Sequence, residues 1–207
     1  MKNTENEMAI KFQYNKMALQ GLNKQLNMRL KALPVIKNKE TALRIEVKRA
    51  KTKIKDIDDE LIQKIDAYSL SPGIWNEFNE NLISVADIKT STKKIAGVKT
   101  PVLEEVVFKT EDFSLFDNPK WYAQGVSIVK ELGEIVLERE FFNRKMELLS
   151  YARRKTTQKV NLYEKVQIPG YNDAIRKIKR FLEDEENLSK SSQKIVKNRQ
   201  QKQEVEA

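Results

Sequence analysis

The chain has 207 residues, 39 of them Lys or Arg against 30 Asp or Glu, a formal net charge of +9, and neither Cys nor His. Without Cys there is no disulfide framework, thiolate zinc site or cysteine nucleophile; without His there is no Ser-His-Asp triad and no imidazole-bound metal. No apolar run approaches the ~20 residues that span a bilayer, and the polar, acidic stretch 1–9 is unlike a secretory leader. The expectation is a soluble, intracellular protein.

Gly and Pro divide the chain unevenly. None falls between Pro34 and Pro72, between Gly133 and Pro169, or after Gly170, whereas Pro72, Gly73, Gly97, Pro101 and Pro119 crowd the middle. Long stretches without these breakers favour helix. Taken in chain order, residues 1–9 are expected to be disordered and 10–80 to hold a long helix. Steps of 3 and 4 from Leu19 pass through Leu22, Leu26, Arg29, Leu33, Ile36, Glu40, Leu43, Val47, Ala50, Ile54, Ile57, Leu61, Lys64 and Tyr68. All but Arg29, Glu40 and Lys64 are apolar or aromatic, a heptad seam far longer than the ~3–4 repeats that mark a coiled coil. From Ile10 to Tyr68 such a helix would measure ~88 Å at ~1.5 Å per residue, so the spacing predicts a rod. Pro34 removes one backbone hydrogen bond inside the seam and predicts a kink, not an end.

Residues 81–117 read as a hairpin and connecting segment. Ile83, Val85, Ile88, Ile95, Val98, Val102, Leu103, Val106, Val107 and Phe108 are mostly β-branched. Thr90, Ser91, Thr92 and two lysines separate two runs, which predicts strands near 82–89 and 95–109. Aromatics concentrate between Trp75 and Tyr122, which predicts a small local core capping the helices.

Residues 118–199 repeat the helical pattern. The seam passes Trp121, Gly125, Ile128, Leu132, Ile135, Arg139, Phe142, Met146, Leu149, Arg153, Thr156, Val160 and Tyr163; a final segment carries Ile175, Ile178, Leu182, Leu188 and Ile195 and fades into a tail, 200–207, expected to be disordered. Ile168-Pro169-Gly170 predicts a bend or brief break. Two seams need each other, and the broken centre turns the chain round. The fold class is therefore mainly α: a long antiparallel two-helix coiled coil, kinked near Pro34 and Pro169, with a small central β-hairpin and aromatic cap.

Chemistry-bearing motifs are scarce. There is no G-x-x-x-x-G-K-[ST] or G-x-G-x-x-G loop. Asp56, Asp58, Asp59 and Glu60 splay around a helix, as do Glu183–Glu186, and do not converge as metal ligands must. No catalytic residue, cofactor or metal site is expected on this chain. The charge is lopsided: residues 1–55 hold 14 Lys or Arg and 4 Asp or Glu, a net of +10. Such a basic helix is open to three readings. It can attract nucleic-acid phosphate, face acidic protein surfaces, or simply be solvated. No aromatics are interleaved with the basic runs to stack on bases.

Three blocks carry a resemblance. The first runs from Leu26 to Leu43 and includes Ala32-Leu33-Pro34-Val35-Ile36-Lys37-Asn38-Lys39-Glu40-Thr41-Ala42-Leu43. The second is Gln158-Lys159-Val160-Asn161-Leu162-Tyr163-Glu164-Lys165-Val166-Gln167-Ile168-Pro169, followed by Ile175, Ile178, Leu182 and Glu185. The third is Ala96-Gly97-Val98-Lys99-Thr100-Pro101. With these blocks, from about Phe12 to Arg199, the chain resembles the D subunits of V-type (vacuolar and archaeal or bacterial A-type) ATPases, which form the central rotor shaft. It departs from that family's pattern at Ala32 and Pro34, at Glu40, and at Gln158-Lys159.

The resemblance implies a non-catalytic stalk protein that couples ATP hydrolysis or synthesis in a hexamer of A and B subunits to ion translocation by a membrane ring. Its partners would be the A and B subunits, the F subunit and the funnel-shaped C (or d) subunit. It would lie peripherally on the cytoplasmic face, without membrane insertion or direct nucleic-acid binding. Lys11, Lys16, Lys37, Lys39, Arg153, Lys159, Asn161 and Glu164 would belong to the part of the shaft in the hexamer bore. Ile54, Ile57, Leu61, Ile135, Phe142 and Leu149 would form the seam near the F site, with the F subunit on exposed positions between about 54 and 68 and between 135 and 149. Gly97, Val98 and Pro101 would mark the hairpin. The rival expectations are a basic coiled coil that associates with nucleic acid and the stalk of an export ATPase.

Overall fold

A computed structural model describes residues 10–68, 75, 78–113 and 118–206. In chain order they form helix α1 (Lys16–Tyr68), a 3-10 turn (Glu80–Leu82), strands β1 (Ile83–Ile95) and β2 (Val98–Thr110), helix α2 (Tyr122–Asn161), a π turn (Leu162–Gln167) and helix α3 (Ile168–Glu206). The first helix starts later than the expected residue 10. The Asn15 side chain accepts a hydrogen bond from the Ala18 amide at 2.6 Å, which caps the first turn and fixes the start at Lys16. It also does not reach 80, where Asn79 caps a 3-10 turn. At the other end α3 continues to Glu206 through the stretch expected to be a tail. The disorder expected for 1–9 lies outside the described residues.

The heptad reading of α1 holds along its whole length. Every seam position from Leu19 to Tyr68 is buried or half-buried, including Arg29, Glu40 and Lys64, and α1 runs on through Pro34. The chain divides into two compact units, Met1–Asn38 with Thr157–Ala207 and Lys39–Thr156.

In the first unit, Leu22 packs with Ala174, Ile175 and Ile178, joined by Ile10, Phe12, Leu19, Leu26, Tyr171 and Leu182. Further up α1, Arg29 meets Gln167 and Lys37 meets Glu164. Partners fall in number on the return helix as they rise on α1, so the pair is antiparallel.

The π turn re-phases that return helix. The Ile168 amide bonds to the Tyr163 carbonyl, five residues back, one more than in an α-helix. Continued 3-4 stepping from Val160 and Tyr163 would bring Lys177 and Phe181 inward. Instead both are exposed, and Ile175 and Ile178 are buried with Leu182 half-buried. One extra residue in the turn supplies that shift.

The second unit is also antiparallel: Leu43 and Val47 pack on Leu149, Asp58 meets Arg139, and Lys64 meets Glu131. Leu43 and Leu149 are fully buried, each contributing ~1.5–3 kcal/mol by leaving water. On this pair lies the hairpin. β1 and β2 pair antiparallel from Ile83↔Thr110 to Ile95↔Val98, with register shifts at Val85/Asp87 and Lys89/Thr90. The polar run 90–94, expected as the turn, is strand. The turn is Ala96-Gly97, with φ of 48° and 81°. Two residues with positive φ between paired strands make a type I′ turn, whose twist suits a hairpin, and Gly97 takes its share without a Cβ penalty.

The hairpin tip folds back onto the helices, because Ile95, Ala96 and Val98 pack around Leu43, Val47 and Leu149. Thr100, fully buried, donates its hydroxyl to the Lys93 carbonyl at 2.9 Å, so no polar group is stranded. Farther down, the Phe108 ring rests on Gly133, where a Cβ would come within 3.3 Å. Near the start of α2, Trp75, Phe78, Phe113, Trp121 and Tyr122 form a cluster of edge and tilted ring contacts. Gly125 lets it close, since a Cβ there would lie 2.9 Å from the Trp121 ring.

Candidate interaction surfaces

The seam residues are the structural half of the candidate set. Ile57, Ile135 and Leu149 are buried, and Ile54, Leu61 and Phe142 half-buried. Heptad spacing puts them between the helices, where they hold the pair together; Phe142 also lines a groove beside β2. The sequence marks the outward surface nearby only as the ranges 54–68 and 135–149, without naming residues on it. Ile62 and Ile65 on α1 and Val136 on α2 are about half exposed. They lie within 54–68 and 135–149, and the sequence signal for them is an apolar residue off the seam.

The polar candidates are scattered over both units. Lys11 is exposed on the extended segment before α1, and Lys16 is exposed on the first turn of α1; the hydrogen bond from Lys190 holds the Glu186 carboxyl below the usual glutamate range, and the Lys16 charge adds a little to this. Lys37 and Glu164 bond to each other at 2.8 Å with each side chain about half exposed. Lys159 and Asn161 are exposed at the end of α2. In the second unit Lys39 sits over the hairpin turn, its Nζ 3.4 Å from where a Gly97 Cβ would be, and Arg153 is half-buried on the seam. Gly97 forms the turn, Val98 packs in the core beneath it, and Pro101 pairs with Thr92 in the ladder.

Two polar constellations tie helix to helix. In the first unit the Arg29 guanidinium lies over Tyr171 at 4.6 Å and Tyr163 at 5.9 Å, the first on α3 and the second within the π turn. Its Nε donates to Gln167 Oε1 and its Nη1 to Gln25 Oε1, both at 2.6 Å. A flat fork that can bond and stack at once suits this place. In the second unit Lys64 Nζ donates to Glu131 Oε1 at 2.5 Å and the Tyr68 hydroxyl donates to Glu131 Oε2 at 3.1 Å. The hydrogen bond from Lys64, then that from Tyr68, holds the Glu131 carboxyl below the usual glutamate range; the same bonds push Lys64 and Tyr68 up.

Among the described residues no group of three or more carboxylates is placed to hold a metal ion, and no helix is long and apolar enough to cross a membrane. A comparison with protein families decides between long helix pairs that would look alike: residues 18–198 match the family model for the ATP synthase D subunit. The chain belongs to the ATP synthase D-subunit family.

Relatives agree over nearly full length. The chain is 27% identical over 190 residues to a V-type ATP synthase D subunit of Borreliella burgdorferi, covering 91% of this chain and 94% of that protein. It is 26% identical over 197 residues to its counterpart in Chlamydia trachomatis, covering 93% and 97%. A Chlamydia pneumoniae relative is 28% identical over 184 residues, covering 86% and 88%. The match to the family runs through the π turn, the hairpin and most of α3, so the shared pattern takes in both units and not only the heptads.

Proposed function

We propose that this chain is the central-stalk rotor subunit of a V-type ATPase, coupling ATP hydrolysis or synthesis in a hexamer of A and B subunits to ion translocation by a membrane ring. The observation that carries the reading is the family match over 18–198 on a chain whose two units are each a tied antiparallel helix pair. In this reading the chain is non-catalytic and carries no cofactor. Nucleotide would bind on the hexamer, and the shaft would act through contacts that differ among three catalytic pairs, so that its angle biases their occupancy.

Torque on such a shaft is a shear between its helices. Interlocked seam side chains resist it, and Arg29–Gln167, Lys37–Glu164, Asp58–Arg139 and Lys64–Glu131 bridge the seam at intervals. The exposed cations Lys11, Lys16 and Lys159 suit acidic surfaces of the bore. The F subunit would dock on the outward apolar residues Ile62, Ile65 and Val136, and the C (or d) subunit would receive the end carrying the aromatic cluster. The complex would sit peripherally on the cytoplasmic face of its membrane.

The test is reconstitution with the A, B and F subunits of the same enzyme, with and without this chain. Stoichiometric incorporation and a changed rate of ATP hydrolysis are expected, together with arrest when a cysteine at Lys11 or Lys197 is crosslinked to the ring. A chain that stays out of the hexamer and does not bind the F subunit defeats the proposal.

A further inference from the structure

Between β2 and α2 lies a groove of about 610 Å³, lined on the hairpin side by Pro101 to Val106 and on the helix side by Glu134, Glu138, Phe141, Phe142 and Lys145. Its hairpin wall is six consecutive residues. Successive strand side chains point to opposite faces except where a bulge intervenes, and this run contains a register shift that leaves Glu104 without a partner in β1. β2 has β1 on one side and, among the described residues, no strand on the other. That edge leaves backbone donors and acceptors without a ladder partner.

The groove is acidic on a basic protein. Glu104, Glu105, Glu134 and Glu138 ring it against the lone cation Lys145. Lys89 holds Glu105 at 2.6 Å, while Glu104, Glu134 and Glu138 form no salt bridge among the described residues. The floor is apolar, from Val102, Leu103, Val106, Phe141 and Phe142, and one ring already takes a cation: Lys145 Nζ lies 5.2 Å from the centre of Phe142.

We propose that this groove receives an extended, basic and apolar segment of a partner protein, added along β2 as a third strand. Backbone hydrogen bonds to the open edge would supply affinity, and alternate side chains would supply selectivity: apolar residues on the floor, Lys or Arg toward the glutamates and the aromatic faces. Nucleic acid is disfavoured, because its phosphates would meet carboxylates.

The full-length chain is titrated with a capped seven-residue peptide of alternating Lys and Val. Two peptides serve as controls, one alternating Glu and Val and one helical, of Lys and Ala with the same charge. Hydrogen exchange is followed across β2. The expected result is binding of the Lys/Val peptide alone, slowed exchange confined to 101–106, and about tenfold weaker binding in the variant Glu134→Gln/Glu138→Gln, the scale on which two surface ion pairs are lost together. That variant changes two helix positions outside the hairpin, so the β2 edge is kept. Equal binding by the helical peptide, no change in exchange at 101–106, or full affinity in the variant would each overturn the proposal.

Discussion

The return helix meets α1 differently in the two units. In Lys39–Thr156 it keeps strict 3-4 spacing from Trp121 to Thr156, and a hairpin lies on the outside of the pair. In Met1–Asn38 with Thr157–Ala207 it reaches its seam only through the π turn at Leu162–Gln167, with Arg29 stacked against Tyr163 in that turn and Tyr171 beyond it. The prolines sharpen the contrast. Pro34 sits at an exposed position in a seam that stays in phase on both sides, whereas Pro169 follows a seam that slips by one residue. Proline alone therefore does not make the π turn; the change of phase does.

Single-residue deletions separate the units most strongly. Removing Lys55, between Ile54 and Ile57, shifts one side of the α1 seam by a residue and drives polar groups inward. The loss should exceed that of a single buried Leu→Ala change, ~2–5 kcal/mol, seen as a large fall in the denaturant midpoint. Removing Val166 from the π turn should do almost nothing. With it gone, ordinary 3-4 spacing leads from Tyr163 through Ile168, Tyr171, Ile175, Ile178 and Leu182, the apolar set that already faces inward. A Val166 deletion as damaging as the Lys55 deletion would show that the turn is not a one-residue insertion.

Pro34→Ala comes next. It restores a backbone donor to an exposed place in α1, and helix propensity puts the gain at up to ~3 kcal/mol, read as a raised midpoint. Pro169→Ala should gain less, because the seam still needs the extra residue there. Arg29→Lys is smaller and opposite in sign, a loss of ~1 kcal/mol, since an ammonium keeps the charge but not the planar fork against Gln167 and the two rings.

These cases also show what sequence could reveal. Both long helices, their antiparallel sense and the α1 seam to Tyr68 follow from spacing that is nearly unbroken. The phase slip was equally visible, since Ile175, Ile178 and Leu182 cannot share a 3-4 series with Val160 and Tyr163, but a proline at the same place drew attention to itself. The hairpin turn was misplaced because Thr90–Lys94 looks like a loop by composition, while the deciding property is positive φ at Ala96-Gly97. The candidate surface was least legible. Heptad logic singles out Ile57 and Leu149, which face inward, and passes over Ile62, Ile65 and Val136. The β2 groove was hidden because it needs a strand edge and a distant helix brought side by side.

The smallest effect belongs to pH, and it concerns the Lys64–Glu131–Tyr68 bridge of the second unit. Glu131 is held below its ordinary value of 4.5, so its contribution is complete above that value and is lost as pH falls through the lower pKa of the folded state. Lys64 and Tyr68 are raised above 10.5 and 10.0, so theirs is complete below those values and fades as pH rises through the higher folded ones. The stability difference between the native chain and Glu131→Gln should therefore be level from about pH 5 to about pH 10 and shrink on either side, and added salt should reduce it because the groups are open to solvent. A difference that grows on acidification would mean that the carboxylate is tolerated in this bridge, and that the seam beside it holds the helices together.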